Sequence, residues 1–198
     1  MRLTTAILLM AIFACITLKA QDTPSKDHQI GAAVMAAPEE ARAGATVWGF
    51  SSEGKMILLR EGTNNFICLA DDPTRPGFSV SAYHKDLEPF MARGRELKEQ
   101  GKSNQEIFDI REAEVKAGTL KMPESGATLH VLSGKEGQYN PESGTVTGAT
   151  LRYVVYIPWA TSESTGLPLK PIVPGGPWIM DPGTHRAHIM INPPADNP

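Results

Sequence analysis

Apolar and polar positions follow a strand period most clearly over Thr150 to Trp159. Leu151, Tyr153, Val155 and Ile157 fall on one face of an extended chain, and Arg152, Val154 and Tyr156 on the other. Both faces are largely apolar, which predicts a central strand covered on both sides. Pro158 cannot donate to a ladder and ends it. Shorter runs of β-forming residues lie at 45–51, 55–60 and 65–70. Ser52-Glu53-Gly54 and Glu61-Gly62-Thr63-Asn64 separate them as turns, so the three predict a meander. Asp71-Asp72-Pro73 closes it, and Phe78 to Tyr83 adds a fourth strand.

Elsewhere the period is helical. Ile30, Ala33, Val34 and Ala37 form an i, i+3, i+4, i+7 stripe, predicting an N-terminal helix over Asp27 to Ala37 that Pro38 closes. Glu39-Glu40 then turns the chain toward Gly44. Leu87, Phe90, Met91, Gly94 and Leu97 mark a second helix, with Asp86 as its cap and Pro89 tolerated in its first turn. Gln100-Gly101 ends it. Ser103-Asn104-Gln105-Glu106 is a capping box for a third helix that runs to Ala117 and stops at Gly118. These two helices predict an αα-hairpin. Arg93, Arg95, Lys98, Glu99, Arg111, Glu112 and Lys116 alternate in sign along it and read as a solvated surface.

Leu129 to Leu132 predicts a short strand, Gly134 to Gly148 a loop turning at Asn140-Pro141, and Trp178 to Met180 and Ala187 to Asn192 the last strands. Lys170 to Pro177 forms neither helix nor ladder and is a long loop of the kind that often carries function. The expected fold class is therefore α+β. It comprises a mostly antiparallel sheet, made of the meander and the C-terminal strands, with an inserted αα-hairpin and an N-terminal helix.

Residues 1–20 read as a signal peptide. Arg2 gives the positive start, Leu3 to Leu18 the apolar run, and Ala20 the small residue before a polar stretch. The run is short for a membrane span and no charged stop-transfer flank follows it. Ile12-Phe13-Ala14-Cys15 offers a competing reading, a lipoprotein anchored through Cys15, against which stands the bulk of Phe13. The expected location is exported, periplasmic or extracellular. Residues 21–198 then form a single domain, flexible at 21–26 and 193–198, with no membrane span in the mature chain. The leader removes two of the 19 basic residues, Arg2 and Lys19, and none of the 22 acidic ones. What remains is 17 against 22, a net charge of −5, and no basic run appears, so nucleic acid is not expected as a partner. Of the 2 cysteines only Cys68 remains. A disulfide framework is excluded, and core packing must carry the fold.

The common catalytic signatures are missing. No phosphate-binding Gly-rich loop, His-Glu-x-x-His or Gly-x-Ser-x-Gly occurs. Ser52-Glu53-Gly54-Lys55 matches Ser-x-x-Lys but falls in a hairpin turn rather than at the start of a helix. The stretch Asp181 to His188 is richer, with one carboxylate and two imidazoles in eight residues. His185, His188 and Asp181, with His84 folded alongside, are the candidates for acid–base chemistry. His185 and His188 are the candidate metal ligands, although three-residue spacing puts them on opposite faces of a strand. No cofactor is expected beyond that divalent-metal alternative. Trp159, Trp178 and Tyr156 are candidate walls of an apolar ligand pocket, placed where the central strand ends and the irregular C-terminal segment begins.

Two runs, Gly62-Thr63-Asn64-Asn65-Phe66-Ile67-Cys68 and Gly183-Thr184-x-x-Ala187-His188-Ile189-Met190, give the chain its resemblance to exported bacterial proteins of unknown function. That resemblance implies no activity and no ligand. The function expected is a non-catalytic binding or structural module of the cell envelope or exterior, its partner a small molecule or an envelope component. The alternative is a small exported hydrolase or metal-binding enzyme using His185 and His188.

Overall fold

The computed structural model describes residues 23–194. The signal-peptide stretch with Cys15, and residues 195–198, lie outside the described residues. The chain opens with α1 (Lys26–Ala33), which continues as a 3₁₀ turn over Val34–Ala36. Ser25 caps α1 by accepting from the amide of His28. The helix tightens before Pro38 because Ala37 must already be extended, at ψ 154°. Ahead of the helix, the Pro24 carbonyl accepts from the Gln29 side chain at 2.8 Å. Glu39–Arg42 forms a short α2 where only a turn was expected.

Then follow β1 (Thr46–Phe50), β2 (Met56–Arg60), β3 (Phe66–Leu69), β4 (Phe78–His84), α3 (Glu88–Glu99), α4 (Asn104–Lys116), β5 (Ala127–Gly134), β6 (Gln138–Asn140), β7 (Thr145–Thr147), β8 (Thr150–Tyr156), α5 (Ser162–Thr165), β9 (Trp178–Met180) and β10 (His188–Ile191). Eight strands make one mixed sheet in the order β2-β1-β3-β4-β5-β8-β10-β9. The α+β class expected from the sequence is the class found. The meander is not: β1 pairs antiparallel with β2 but parallel with β3, which crosses to the other side of β1. Residues 134–148 hold a β6–β7 hairpin rather than a plain loop. Its Tyr139 and Val146 pack against the core, which holds three-residue strands too short to read from periodicity.

Each face of the sheet carries its own core. Along β4, Phe78, Val80 and Ala82 join Ala32, Ala33 and Ala36 of the N-terminal helix, while Tyr83 points the other way, to Leu87 and Met91. Val47 and Cys68 lie on the first face, and Ile67, Leu129, Val154 and Met190 on the second. The N-terminal helix is made of small residues on its packing side, so it lies close to the strands. Each large side chain buried this way contributes about 1.5–3 kcal/mol. The strand expected to be central, β8, lies between β5 and β10 and is covered less fully than its sequence predicts. Val154 is buried, but Leu151, Tyr153 and Val155 are half-buried, because the N-terminal helix packs over β1, β4 and β5 instead.

The αα-hairpin forms with the capping box at Ser103 and Glu106 and the left-handed stop at Gly118 (φ 74°). Its charged residues are not all a solvated surface. Arg93 grips the Glu114 carboxylate with Nε at 3.0 Å and Nη2 at 2.6 Å, tying α3 to α4. Arg95 donates to Tyr83 Oη at 2.9 Å and to Glu88 at 2.7 Å. Arg111 is buried, its guanidinium 3.8 Å from the centre of the Phe90 ring and donating to the Phe90 carbonyl at 3.2 Å. Gly94 makes room for it: a Cβ there would lie 2.9 Å from Arg111 Nη1. Among the described residues no helix is long and apolar enough to cross a membrane.

Candidate functional site

The ladder of β8 ends at Tyr156, which pairs with His188 on β10. Beyond it the chain stays zipped to the 181–188 stretch by irregular bonds. Ile157 donates to the Ala187 carbonyl at 2.9 Å, Trp159 to Thr184 at 2.8 Å, and Gly183 back to Ala160 at 2.8 Å. Two residues in this knot have positive φ without being glycine, Trp159 at 66° and Asp181 at 49°. Aspartate tolerates that conformation. For a bulky residue such as tryptophan it is a true outlier, costing about 1–3 kcal/mol.

Asp181 is locked in place. Its carboxylate accepts from Arg186 Nε at 2.6 Å, and its carbonyl accepts from the Thr184 hydroxyl at 2.8 Å. Arg186 in turn lies over the Phe108 ring at 5.1 Å. His185 is 0% exposed and sits edge-on to Phe108 (4.9 Å between centroids) and Phe90 (5.7 Å). Its Nδ1 is 3.5 Å from Glu112 Oε2, and neither ring nitrogen has a hydrogen-bond partner. Burial, helped by the Arg111 charge, holds its pKa below the usual histidine value, although Glu112 pulls the other way. His188 is buried beside Tyr156 and bonds the Arg186 carbonyl through Nδ1 at 2.8 Å. Burial lowers its pKa too, and raises that of the Tyr156 phenol.

The candidates therefore divide. Asp181, His185, His188 and Tyr156 are neighbours, but as a closed knot of aromatic and charged groups that offers no open face at either imidazole. Trp178 lines the core with Met190 and Tyr83. His84 sits at the end of β4 opposite Phe66, accepting from the Asp86 amide at 3.4 Å, well away in the sheet order from β10. Among the described residues no three His, Cys, Asp or Glu side chains group to hold a metal.

Trp159 is different. Its indole is 40% exposed and forms one wall of a groove of about 430 Å³. Val115 and Gly118 at the end of α4, the segment Leu120 to Glu124, and Pro158 complete it. Lys116 Nζ lies 5.6 Å from the indole centre and is also paired with Glu112, the residue beside His185. Trp159 thus meets solvent on one side and is linked to the buried knot on the other. The α4 residues escaped sequence reasoning because their charge pattern matches an ordinary surface helix. The one available signal was the i, i+4 pair Glu112 and Lys116 next to an arginine at a core position.

A smaller cavity of about 290 Å³ lies at the opposite end of the sheet, between His28, Asp71, Phe78 and Tyr139. Burial raises the pKa of Asp71, and its carboxylate accepts from the Ser79 amide at 2.9 Å. No family description, curated protein or solved structure matches the chain.

Proposed function

We propose that this protein is a non-catalytic binding module of the cell envelope or exterior, and that its ligand lies in the groove against Trp159. The observation that carries the reading is the backbone of Trp159, held at φ 66° so that the indole stands 40% exposed at the groove wall. Strain of this kind persists where the surroundings over-determine it and clusters at ligand-contacting positions. A groove with an aromatic wall, aliphatic floor residues Val115, Leu120 and Met122, and Lys121 and Glu124 at its sides suits a small molecule or a stretch of an envelope polymer. The leader pattern at residues 1–20 supports a location outside the cytoplasm.

The alternative, a hydrolase or metal enzyme using His185 and His188, has the enclosure of both imidazoles against it. The test is a titration with soluble glycan and peptide fragments of a cell wall, read by tryptophan fluorescence and thermal shift. Binding that shifts the emission and is lost in Trp159→Ala supports the proposal. A ligand that binds wild type and Trp159→Ala equally, or hydrolysis of any fragment that stops in His185→Phe, defeats it.

A further inference from the structure

The cavity between the N-terminal helix and the β6–β7 hairpin is walled by Phe78, Tyr139, His28 and Asp71 among others, and shares no residue with the Trp159 groove. Two glycines bring its walls together. Gly31 sits inside α1, where glycine weakens a helix, and a Cβ on it would lie 2.3 Å from Tyr139 Oη. Gly137 leads into β6, and a Cβ on it would lie 2.7 Å from the Cβ of Phe78 on β4. Tyr139 is thereby seated on the helix beside His28, the two rings edge-on with centroids 5.3 Å apart. The space left, about 290 Å³, is at the small end for an organic ligand.

The polar residues of this cavity are not equally engaged. Gln29 is fully taken up by backbone: Nε2 donates to the Pro24 and Phe50 carbonyls at 2.8 and 3.0 Å, and Oε1 accepts from the Phe50 amide at 2.7 Å. Asp71 accepts from the Ser79 amide through Oδ1 at 2.9 Å, and among the described residues it has no ion-pair partner. Its neighbour Asp72 holds both nearby cations, Arg75 at 3.5 Å and Lys98 at 3.6 Å. Arg95, the third basic group on that side of the sheet, is held by Glu88 at 2.7 Å. Burial raises the pKa of Asp71, and backbone bonds from Ser79 and Asp72 oppose it only in part. Neither lysine nor arginine lines the cavity, so its carboxylate is left without a counter-charge.

We infer that this cavity binds a small organic cation, a protonated amine with an apolar body, its ammonium on Asp71 and its carbon atoms against Phe78, Tyr139 and Pro73. Such a ligand answers both features of the site. Its N–H groups make charge-assisted bonds to the carboxylate lone pairs that Ser79 leaves free. Its positive charge is attracted by the neighbouring aromatic rings. An anion would find no basic group on these walls, and a neutral molecule would leave the half-buried carboxylate uncompensated. A bare divalent ion would find too few ligands. The walls offer one carboxylate and one imidazole, and hard cations need several oxygen ligands at once.

The test is a titration of the isotope-labelled protein with benzylammonium, benzyl alcohol and benzoate at fixed ionic strength, followed through its backbone amide resonances. Benzylammonium should shift the Ser79, Gly137 and Tyr139 amides together and saturate with a dissociation constant below about 10 mM. Benzyl alcohol and benzoate, of the same shape, should bind at least about tenfold more weakly. Asp71→Asn keeps an acceptor for the Ser79 amide but loses the charge. It should weaken benzylammonium at least about tenfold and bring it to within about threefold of the alcohol. Tyr139→Leu removes a ring while keeping apolar bulk, and should cost about threefold or more. The comparison of the three probes needs no variant, so it decides the matter even where a substitution impairs folding. Benzyl alcohol binding as tightly as benzylammonium overturns the inference, as does an unchanged affinity in Asp71→Asn. So do shifts scattered over other surface carboxylates instead of the cavity, or no saturable binding up to about 10 mM.

Discussion

Glu112 faces His185 across 3.5 Å, one on α4 and the other in the turn before β10, and the histidine is wholly enclosed. The pair is one of several contacts through which the αα-hairpin meets the C-terminal strands, beside Phe90 and Phe108 against the same ring and Arg186 over Phe108. It is an incomplete contact, because both imidazole nitrogens lack a hydrogen bond. Unpaired polar atoms in a dry site cost about 1–3 kcal/mol, so the ring is held by its aromatic neighbours more than by its polarity. His185→Phe, a substitution of similar shape between Phe90 and Phe108, should leave stability unchanged or raise it by about 1 kcal/mol. His185→Ala should lower it by about 2–4 kcal/mol through the cavity it leaves. Urea unfolding of both variants checks the pair of outcomes. A loss in His185→Phe equal to that in His185→Ala would mean that the polar atoms matter.

The same residue sets an acid limit. His185, His188 and His130 all have folded-state pKa values below the ordinary histidine value, chiefly through burial. Such groups bind protons more readily in the unfolded chain. They therefore favour unfolding once the pH falls below the unfolded value of about 6.5, and contribute nothing above it. Stability should be flat from pH 8 to 7 and fall between pH 6.5 and 5. Carboxylates held low, such as Glu112, act in a separate window below their unfolded value of about 4.5. Thermal unfolding of wild type against His185→Phe isolates one of the three histidines, and the variant should show the shallower loss between pH 6.5 and 5.

Cys68 should behave as an inert core residue. It is fully buried on β3, and burial pushes its thiol pKa up to about 12. The nucleophile is the thiolate, so a thiol reagent at pH 8 should leave it unlabelled until denaturant is added. Rapid labelling of the folded protein would mean that β3 opens locally without global unfolding.

How far the sequence could be read depends on what each signal measures. Periodicity reports which face of an element is buried, so the αα-hairpin with its capping box, the strand at β8 and the last two strands were all legible. Strand order is a matter of where the turns send the chain, and Gly62 to Asn65 resembles a hairpin turn in composition while directing a crossover. The position of Arg111 was hidden for a different reason. An arginine between two helices reads as surface unless the glycine opposite it, Gly94, is recognised as the space it fills. Trp159 could be placed beside the end of β8 from the strand's stop at Pro158, but the groove next to it is completed by α4 and Leu120 to Glu124, not by the loop after Ala160. Spacing in Asp181 to His188 cannot tell an open cluster from a closed one.

The last prediction concerns that crossover. After β2 the chain must pass from one side of β1 to the other to lay β3 parallel to it. The segment Gly62 to Asn64 does this by folding against the residues that lead into β1. The amides of Thr63 and Asn64 both donate to the Gly44 carbonyl, at 2.8 and 3.1 Å. The Asn64 side chain donates to the Ala41 carbonyl at 2.7 Å and accepts from the Phe66 amide at 2.9 Å, so it joins α2 to the start of β3. Gly62 passes so close to β1 that a Cβ on it would lie 2.2 Å from Thr46 N and 2.6 Å from the Gly44 oxygen. Both obstacles are backbone, which cannot rotate away as a side chain can. Its φ is not in the left-handed region, so the demand is for space alone. Gly62→Ala should therefore destabilise by more than about 3 kcal/mol or prevent folding, a value reached only by a short list of mechanisms. Asn64→Ala should cost about 1–3 kcal/mol for the partners it strands. As a control, Gly54→Ala has open space around it and a φ of 76°, and should cost only about 1–2 kcal/mol for the strained backbone. Chemical denaturation of the three variants ranks them. If Gly62→Ala proves as mild as Gly54→Ala, the approach to Thr46 is looser than described and the crossover is held by Asn64 alone.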